Sequence, residues 1–293
     1  MDEPTRVPDG VVNGEEPLEI TTFYPRQVEV IDSRRRTVPG SYVPRRSVRS
    51  NRRVVLVLFL ATCCSVFLAG TVPGKGIAAL YGRDASDPPL PPLSELLLNG
   101  LTYFGAVMTI LVAHEMGHYL QARRYRVPAT MPYFIPFPIT PIGTMGAVIV
   151  QGAGVANRKS LFDIAVSGPL AGLVFALPIT MVGIWQAKIS VGPPPPGEPI
   201  WGIPLIFQWF MHWIRGPLPE GVWLADNPWL FAGWVGIFIT ALNLMPIGQL
   251  DGGHILYTLI GRRAHRVAIS LLFAAMGYMI LTGQISYALM VVL

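Results

Sequence analysis

Five long apolar stretches constrain the fold of this chain of 293 residues more than any other feature of its sequence. A helix that crosses a bilayer needs about 20 consecutive apolar residues, and each stretch approaches or exceeds this length. Only 13% of the residues are charged, against about 25% in soluble domains. The sequence therefore predicts an all-α, multi-pass integral membrane protein. The predicted spans are approximately 54–72, 96–120, 161–185, 229–247 and 267–293.

Positively charged residues lie next to these stretches and predict their orientation. Lys and Arg accumulate on the cytoplasmic side of spanning helices. With five spans, all four basic clusters fall on one side, so the N-terminus is expected in the cytoplasm. If the chain is prokaryotic, the membrane is the cell membrane. The clusters are Arg52 and Arg53, Arg123, Arg124 and Arg126, Arg158 and Lys159, and Arg262, Arg263 and Arg266.

The first 53 residues are polar, carry both charge signs and end in an arginine-rich run. They contain too little apolar surface to offset the entropy lost on ordering. We therefore predict a largely disordered cytoplasmic tail over residues 1–53, followed by a membrane domain over residues 54–293. The net charge of +5 does not indicate a nucleic-acid partner, because the cations lie beside apolar blocks, where they set membrane orientation.

Two connections between the predicted spans have distinctive compositions. Residues 127–160 are apolar but broken by repeated Pro and Gly, and such a backbone cannot face lipid with its polar groups unpaired. We expect a re-entrant hairpin or short β-strands packed in protein. Residues 186–228 contain VGPPPPGEP and then the Trp-rich WGIPLIFQWFMHWIRG. The latter predicts a helix on the membrane surface, with a sixth, shorter span as the alternative.

The second stretch ends in TILVAHEMGHYLQARR, which places His114, Glu115 and His118 near its predicted cytoplasmic end. Residues four apart lie on the same face of a helix, one turn apart, so both imidazoles can reach one metal ion. Glu115 lies beside the first, in reach of a water molecule on that metal. This is the H-E-x-x-H pattern of metalloproteases. Ionisable residues within spans are usually functional, so we predict one zinc ion per chain.

A third protein ligand is usual for a zinc hydrolase. The fourth stretch ends in ALNLMPIGQLDGGHILY at the same predicted depth, which offers Asp251 and His254. Pro246 and the two glycines after Asp251 allow the backbone to bend and aim the carboxylate. Asp251 could instead cap the N-terminus of the following helix. His254 is a fallback ligand. Its position one turn beyond Asp251 favours a role in supporting the other ligands.

The H-E-M-G-H motif in one span and N-L-M-P-I-G-Q-L-D-G-G-H in a later one resemble the site-2 protease family of intramembrane zinc metalloproteases. The resemblance covers about residues 96–261, a three-span catalytic core, and includes GTMGAV at 143–148 and SGPLAG at 167–172. The resemblance implies the zinc ligands His114, His118 and Asp251 and the catalytic base Glu115.

The chain departs from the family pattern at one position. Many members have Asn four residues after the Gly of the G-P pair in the middle span, where it is associated with stabilising the transition-state oxyanion; here that residue is Gly172. Asn243 offers a replacement donor. Pairing with the broken backbone near Pro246 is an equally supported role for Asn243. Gly168 and Gly172 form a small-xxx-small pair, which predicts close helix packing.

These features predict an intramembrane zinc endopeptidase that cleaves a peptide bond within or next to a transmembrane segment of another membrane protein. The expected partners are that substrate and the lipid bilayer, and the resemblance implies regulated intramembrane proteolysis. Two alternatives come from other classes: a catalytically silent membrane scaffold, and an ion or proton transporter that uses the same His/Glu/Asp cluster. Transporters tend to contain inverted repeats, and five unequal spans show none.

Overall fold

The computed structural model describes residues 50–72, 90–152, 157–192, 203–217, 219 and 221–282. The tail predicted for residues 1–53 lies almost entirely outside these ranges, as do the proline-rich linker and the end of the fifth predicted span. In chain order, the elements are α1 (Arg52–Gly70), α2 (Leu93–Arg124), β1 (Tyr133–Phe137), β2 (Gly143–Val148), α3 (Arg158–Gln186), β3 (Ile189–Val191), α4 (Leu205–Arg215), β4 (Val222–Leu224), α5 (Pro228–Asn243), α6 (Asp251–Ile260) and α7 (Arg263–Thr282).

Three helices in the described part of the chain, α1, α2 and α3, are long and apolar enough to cross a membrane. The described part of the chain is mostly helical, and these three helices give it the features of a membrane protein. Helix α5, in the fourth predicted stretch, is apolar but contains only 16 residues. It ends at Asn243 and not near residue 247, because Pro246 cannot continue a helix and disfavours helical backbone in the residue before it.

Asparagine side chains fix the starts of three helices. Asn51, Asn157 and Asn227 each accept a hydrogen bond from a backbone N–H in the first turn of α1, α3 and α5, respectively. Each bond satisfies a donor that has no partner within the helix. Asn227 also donates from Nδ2 to the Gly183 carbonyl at 3.0 Å. The start of α5 is thereby joined to the end of α3.

The core lies where α1, α2, α3 and α5 pack together. Tyr103 of α2 is fully buried, and its ring stacks on Phe231 of α5 with the centroids 5.3 Å apart. Helices α3 and α5 approach so closely that a Cβ atom at Gly233 would lie 2.7 Å from the Cα atom of Thr180. Neighbours on several sides therefore hold α2, the helix that carries the H-E-x-x-H motif.

The Pro- and Gly-rich segment after α2 contains the short strands expected from its sequence. Strands β1 and β2 pair antiparallel and run alongside α1. At one end, the backbone N–H of Asn51 donates to the Tyr133 hydroxyl at 3.3 Å. At the other, the Ser65 hydroxyl donates to the Gly143 carbonyl at 2.6 Å. The helical rise of 1.5 Å per residue places these two contacts about 20 Å apart along α1.

The Trp-rich segment forms the amphipathic helix α4. Phe207 is buried, whereas Trp209 and Trp213, one turn apart, are 79% and 73% exposed. With 11 residues, the helix is about 16 Å long, which is too short to cross a bilayer. This length favours the predicted surface helix over a sixth span.

Candidate metal and active site

Helix α2 brings the H-E-x-x-H residues into the protein interior. His114, Glu115 and His118 have relative exposures of only 4%, 7% and 8%. The Nε2 atoms of the two histidines lie 3.1 Å apart. Helical spacing of four residues produces this approach, because it places the two side chains on one face, one turn apart.

Asp251 reaches the same point from the other end of the predicted core. Its Oδ2 atom lies 3.3 Å from Nε2 of His114 and 3.2 Å from Nε2 of His118. Asp251 is the first residue of α6, and the N-cap is Leu250, which makes no side-chain capping bond. The structure thus places the Asp251 carboxylate against the histidines and does not place Asp251 at the N-cap.

The glycines after Asp251 permit the sharp turn between α5 and α6. A Cβ atom at Gly252 would overlap the carbonyl oxygen of Leu244, and one at Gly253 would lie 2.5 Å from the carbonyl oxygen of Gly248. Both obstacles are backbone atoms, which cannot rotate away as a flexible side chain can. The L-D-G-G sequence is therefore what allows the carboxylate to reach α2.

The three donor atoms have the separations that a metal ion requires. His114, His118 and Asp251 each offer one ligand atom, and these atoms lie within 4.8 Å of one another. Ligands placed tetrahedrally at about 2.05 Å from zinc are about 3.4 Å apart. The contacts of 3.1, 3.2 and 3.3 Å are close to this value. Two imidazoles and one carboxylate also form a donor set that zinc accepts in hydrolases.

A hydrogen bond to α3 fixes the tautomer of His118. Its Nδ1 atom lies 2.7 Å from the carbonyl oxygen of Ile164. A carbonyl can only accept, so Nδ1 carries the proton and donates it. In a neutral imidazole the lone pair is then on Nε2, the atom that faces His114 and Asp251. The ring is thus prepared to bind a metal through Nε2.

The remaining predicted residues lie around this cluster. Asn243 is the last residue of α5, and its Nδ2 atom is 3.3 Å from Nε2 of His114. The Glu115 carboxylate is near enough to His118 and Asp251 to interact electrostatically with both. His254 lies one turn after Asp251 and interacts with it in the same way, but it is outside the group of three converging donors.

Sequence reasoning missed what the glycines of α3 contact. Gly168 and Gly172 were expected to serve helix packing alone, yet both face the histidines. A Cβ atom at Gly168 would overlap the His118 ring, and one at Gly172 would lie 3.3 Å from Nδ1 of His114. The spacing of four residues, equal to that of the histidines, was the available signal.

Outside the membrane-spanning helices, Tyr125 joins the end of α2 to α3. Its hydroxyl donates to the Asp163 carboxylate. This hydrogen bond, with smaller contributions from burial and from the negative charge of Asp163, raises the pKa of Tyr125 above its ordinary value of 10.0. The protonated phenol therefore supports the packing of α2 against α3, the two helices beside the metal cluster.

Comparison with known proteins gives a consistent result. The sequence pattern of Peptidase family M50 matches residues 102–283, more than half of the chain. The chain is 32% identical over 202 residues to a protein from Oryza sativa subsp. indica named "Probable zinc metalloprotease EGY2, chloroplastic", which covers 66% of this chain and 35% of that protein. It is 28% identical over 258 residues to the Arabidopsis thaliana protein of the same name, covering 84% and 43%.

The chain thus spans less than half the length of these curated relatives. The region matched by the family nevertheless contains every residue of the converging metal cluster. On the strength of that match, this chain belongs to peptidase family M50, the family of site-2 proteases.

Proposed function

We propose that this protein is a zinc-dependent endopeptidase that cleaves a peptide bond within or next to a transmembrane segment of a membrane-protein substrate. One observation carries the proposal: three donor atoms converge with contacts of 3.1–3.3 Å beside a buried glutamate. The helix that carries two of these donors and the glutamate is apolar enough to cross a membrane. Peptide hydrolysis is the chemistry of the family.

His114, His118 and Asp251 are the residues that would hold the zinc ion. Their donor set and separations fit zinc, and the relatives carry the name "zinc metalloprotease". A zinc ion bound by three protein ligands lowers the pKa of water to about 7 and polarises a carbonyl group.

Glu115 is the proposed general base. It accepts a proton from the water molecule that attacks the scissile carbonyl carbon, and it delivers that proton to the amide nitrogen as the C–N bond breaks. One carboxylate thus serves both proton transfers. Its burial and its proximity to His118 and Asp251 support this assignment.

Asn243 is the proposed donor to the negative charge that develops on the scissile carbonyl oxygen. Its Nδ2 group lies at the edge of the donor cluster, 3.3 Å from His114. A preorganised amide N–H stabilises an oxyanion more strongly than the neutral carbonyl from which it forms. The contact with His114 favours this role over pairing with the backbone near Pro246. We assign His254 to the support of Asp251.

The apolar helices support a membrane setting for the site. Helix α2 carries the H-E-x-x-H residues toward its C-terminal end, where Arg123 and Arg124 follow. The positive-inside tendency supports a cytoplasmic location of this end and of the N-terminus. We propose that a substrate helix reaches the site from the bilayer, with five spans in this chain enclosing a three-span core over about residues 96–261.

The β1–β2 hairpin is the proposed platform for the substrate. A helical substrate hides its amides in hydrogen bonds, so it must be unwound before attack. The sheet has two strands in the described part of the chain, which leaves their outer edges without a strand partner. An extended substrate segment can add to such an edge. Contacts from Asn51 to Ser65 along α1 support a re-entrant position for the hairpin.

A proline in β2 tests this platform. Val148→Pro is expected to abolish cleavage of a transmembrane substrate but to leave cleavage of a short unstructured peptide measurable, because only the former needs strand addition. Val148→Thr, which keeps the backbone N–H, is the matched control. Full cleavage of both substrates by the proline variant would contradict strand addition at this position.

The function itself is tested by metal removal. The purified chain, reconstituted with a single-span reporter, is expected to cleave it, to lose activity with 1,10-phenanthroline and to regain activity when zinc is restored. His114→Ala is expected to be inactive throughout. Cleavage that the chelator and this substitution leave unchanged would exclude the proposed metal site.

A further inference from the structure

Helix α3 contacts the His118 ring in two ways. The carbonyl oxygen of Ile164 accepts a hydrogen bond from Nδ1 at 2.7 Å, and this bond is buried. One turn later, Gly168 lies against the ring itself, where any Cβ atom would overlap Nε2, Cδ2 and Cε1. The first contact fixes which nitrogen carries the proton, and the second fixes where the ring can lie.

Adjacent residues hold the two helices in register at this point. The Ser167 hydroxyl lies 2.7 Å from the Ile164 carbonyl oxygen and 3.0 Å from the Gly117 carbonyl oxygen. A Cβ atom at Gly117 would be 2.5 Å from the carbonyl oxygen of Ser167. Gly117 precedes His118 in α2, and Gly168 follows Ser167 in α3, so the close crossing occurs directly beside the ring.

We propose that Gly168, Ser167 and the Ile164 carbonyl are positioning residues for the metal ligand His118. This inference rests on the proposed zinc site and extends it. Helix α3 acts as a template that selects the tautomer protonated on Nδ1 and directs Nε2 at His114 and Asp251. Gly168 therefore allows the helices to pack and also leaves space for the ring of the metal ligand His118.

The physical argument concerns preorganisation. A histidine with a free ring can rotate and exchange tautomers, and metal binding must then remove that freedom. A hydrogen bond from the other ring nitrogen removes it in advance and raises ligand basicity, and loss of such partners costs roughly 10- to 100-fold in metal affinity. A Cβ atom at Gly168 would displace the ring from both the carbonyl and the other ligands.

A series of glycine-to-alanine variants isolates this effect. Gly168→Ala is expected to lower zinc affinity by roughly 10- to 100-fold, measured by competition with a chromophoric chelator. Gly105→Ala is the control for the glycine-to-alanine change in a helix, because a Cβ atom at this exposed position of α2 meets nothing within 4 Å. Gly172→Ala, whose added Cβ atom lies 3.3 Å from His114, is expected to have a smaller effect than Gly168→Ala.

The spectrum of bound cobalt(II) distinguishes a changed metal site from a loss of folded protein. The visible absorption bands of the bound ion report its coordination geometry, so the Gly168→Ala spectrum should shift while that of Gly105→Ala should match the unaltered protein. Equal zinc affinity and equal cobalt spectra in Gly168→Ala and the unaltered protein would overturn the proposal. Failure of the unaltered protein to bind zinc would instead overturn the proposed function, and this inference with it.

A measurement on the unaltered protein covers the case in which Gly168→Ala does not fold. Nitrogen-15 NMR of the zinc-loaded, histidine-labelled protein distinguishes a protonated ring nitrogen from a metal-bound one. We expect Nδ1 of His118 to carry a proton and Nε2 to bind the metal. The opposite assignment would contradict the template role of Ile164.

Discussion

Oδ2 of Asp251 lies 3.2 Å from Nε2 of His118, although α6 and α2, which carry these residues, are separated in the sequence by more than 100 residues. Neither helix offers three ligands alone. The tight turn after α5 brings the third ligand, Asp251, to the histidines, because glycine at position 252 lets α6 begin against the Leu244 carbonyl. The metal site is thus a product of the assembled fold.

Removal of the Asp251 carboxylate should therefore release the metal. We expect Asp251→Ala to lower zinc from about one ion per chain to a small fraction of that, because two neutral imidazoles bind zinc more weakly than three ligands. Elemental analysis of the purified protein measures this. His212→Ala, which removes an exposed histidine of α4, should retain zinc; equal zinc loss in both variants would contradict the assignment.

The hairpin contact with α1 predicts a difference between two glycines. Gly143 and Gly146 have φ angles of +83° and +91°, so alanine is strained at both. Only at Gly143 does the added Cβ atom approach α1, at 2.8 Å from Cα of Val66. We expect Gly146→Ala to lower the free energy of unfolding by about 1 kcal/mol, and Gly143→Ala by roughly 1–3 kcal/mol more.

Thermal unfolding in detergent compares these two variants, since the backbone strain is common to both. Equal stability would mean that the hairpin tip does not lie against α1 in solution.

Arg215 is expected to stabilise the end of α3. Its guanidinium donates to the carbonyls of Ile184 at 3.1 Å and Ala187 at 2.8 Å, and also to that of Trp185. Arg215→Met keeps the apolar stem but leaves these carbonyls without a charged donor, so the free energy of unfolding should fall by about 2 kcal/mol. Arg266→Met, at an exposed position in α7, is the control and should unfold like the unaltered protein.

The Tyr125–Asp163 hydrogen bond predicts a pH dependence. Because the pKa of Tyr125 is raised in the folded protein, its contribution is fully present below the unfolded value near 10 and is lost as pH rises through the folded value. The stability difference between the unaltered protein and Tyr125→Phe should therefore shrink from about pH 10 upward. A constant difference across this range would contradict the bond, with Tyr119→Phe as the reference variant.

Much of the site could be predicted because its chemistry is local in the sequence. The helical spacing of His114 and His118 depends only on the α-helix, and Asp251 follows from the need for a third ligand at the same depth. Helix α5 ends at Asn243, earlier than the predicted span, because of the nearby Pro246. The apolar residues after Asn243 made the predicted span too long.

Other features depend on contacts between distant segments. The spacing of four residues between Gly168 and Gly172 matches that of the two histidines, but it does not show that the His118 ring occupies the space beside Gly168, because that contact depends on the crossing angle and register of α2 and α3. The same holds for Arg215, whose partners lie at the end of another helix. Such contacts form only when the helices pack together.

The role of Glu115 is the central claim, and one substitution tests it most directly. Cleavage of a single-span reporter in reconstituted membranes should disappear in Glu115→Gln, while zinc content and thermal unfolding stay those of the unaltered protein. That combination of results would show that Glu115 is needed for proton transfer and not for zinc binding. Equal cleavage by the variant and the unaltered protein, with zinc bound in both, would contradict the account.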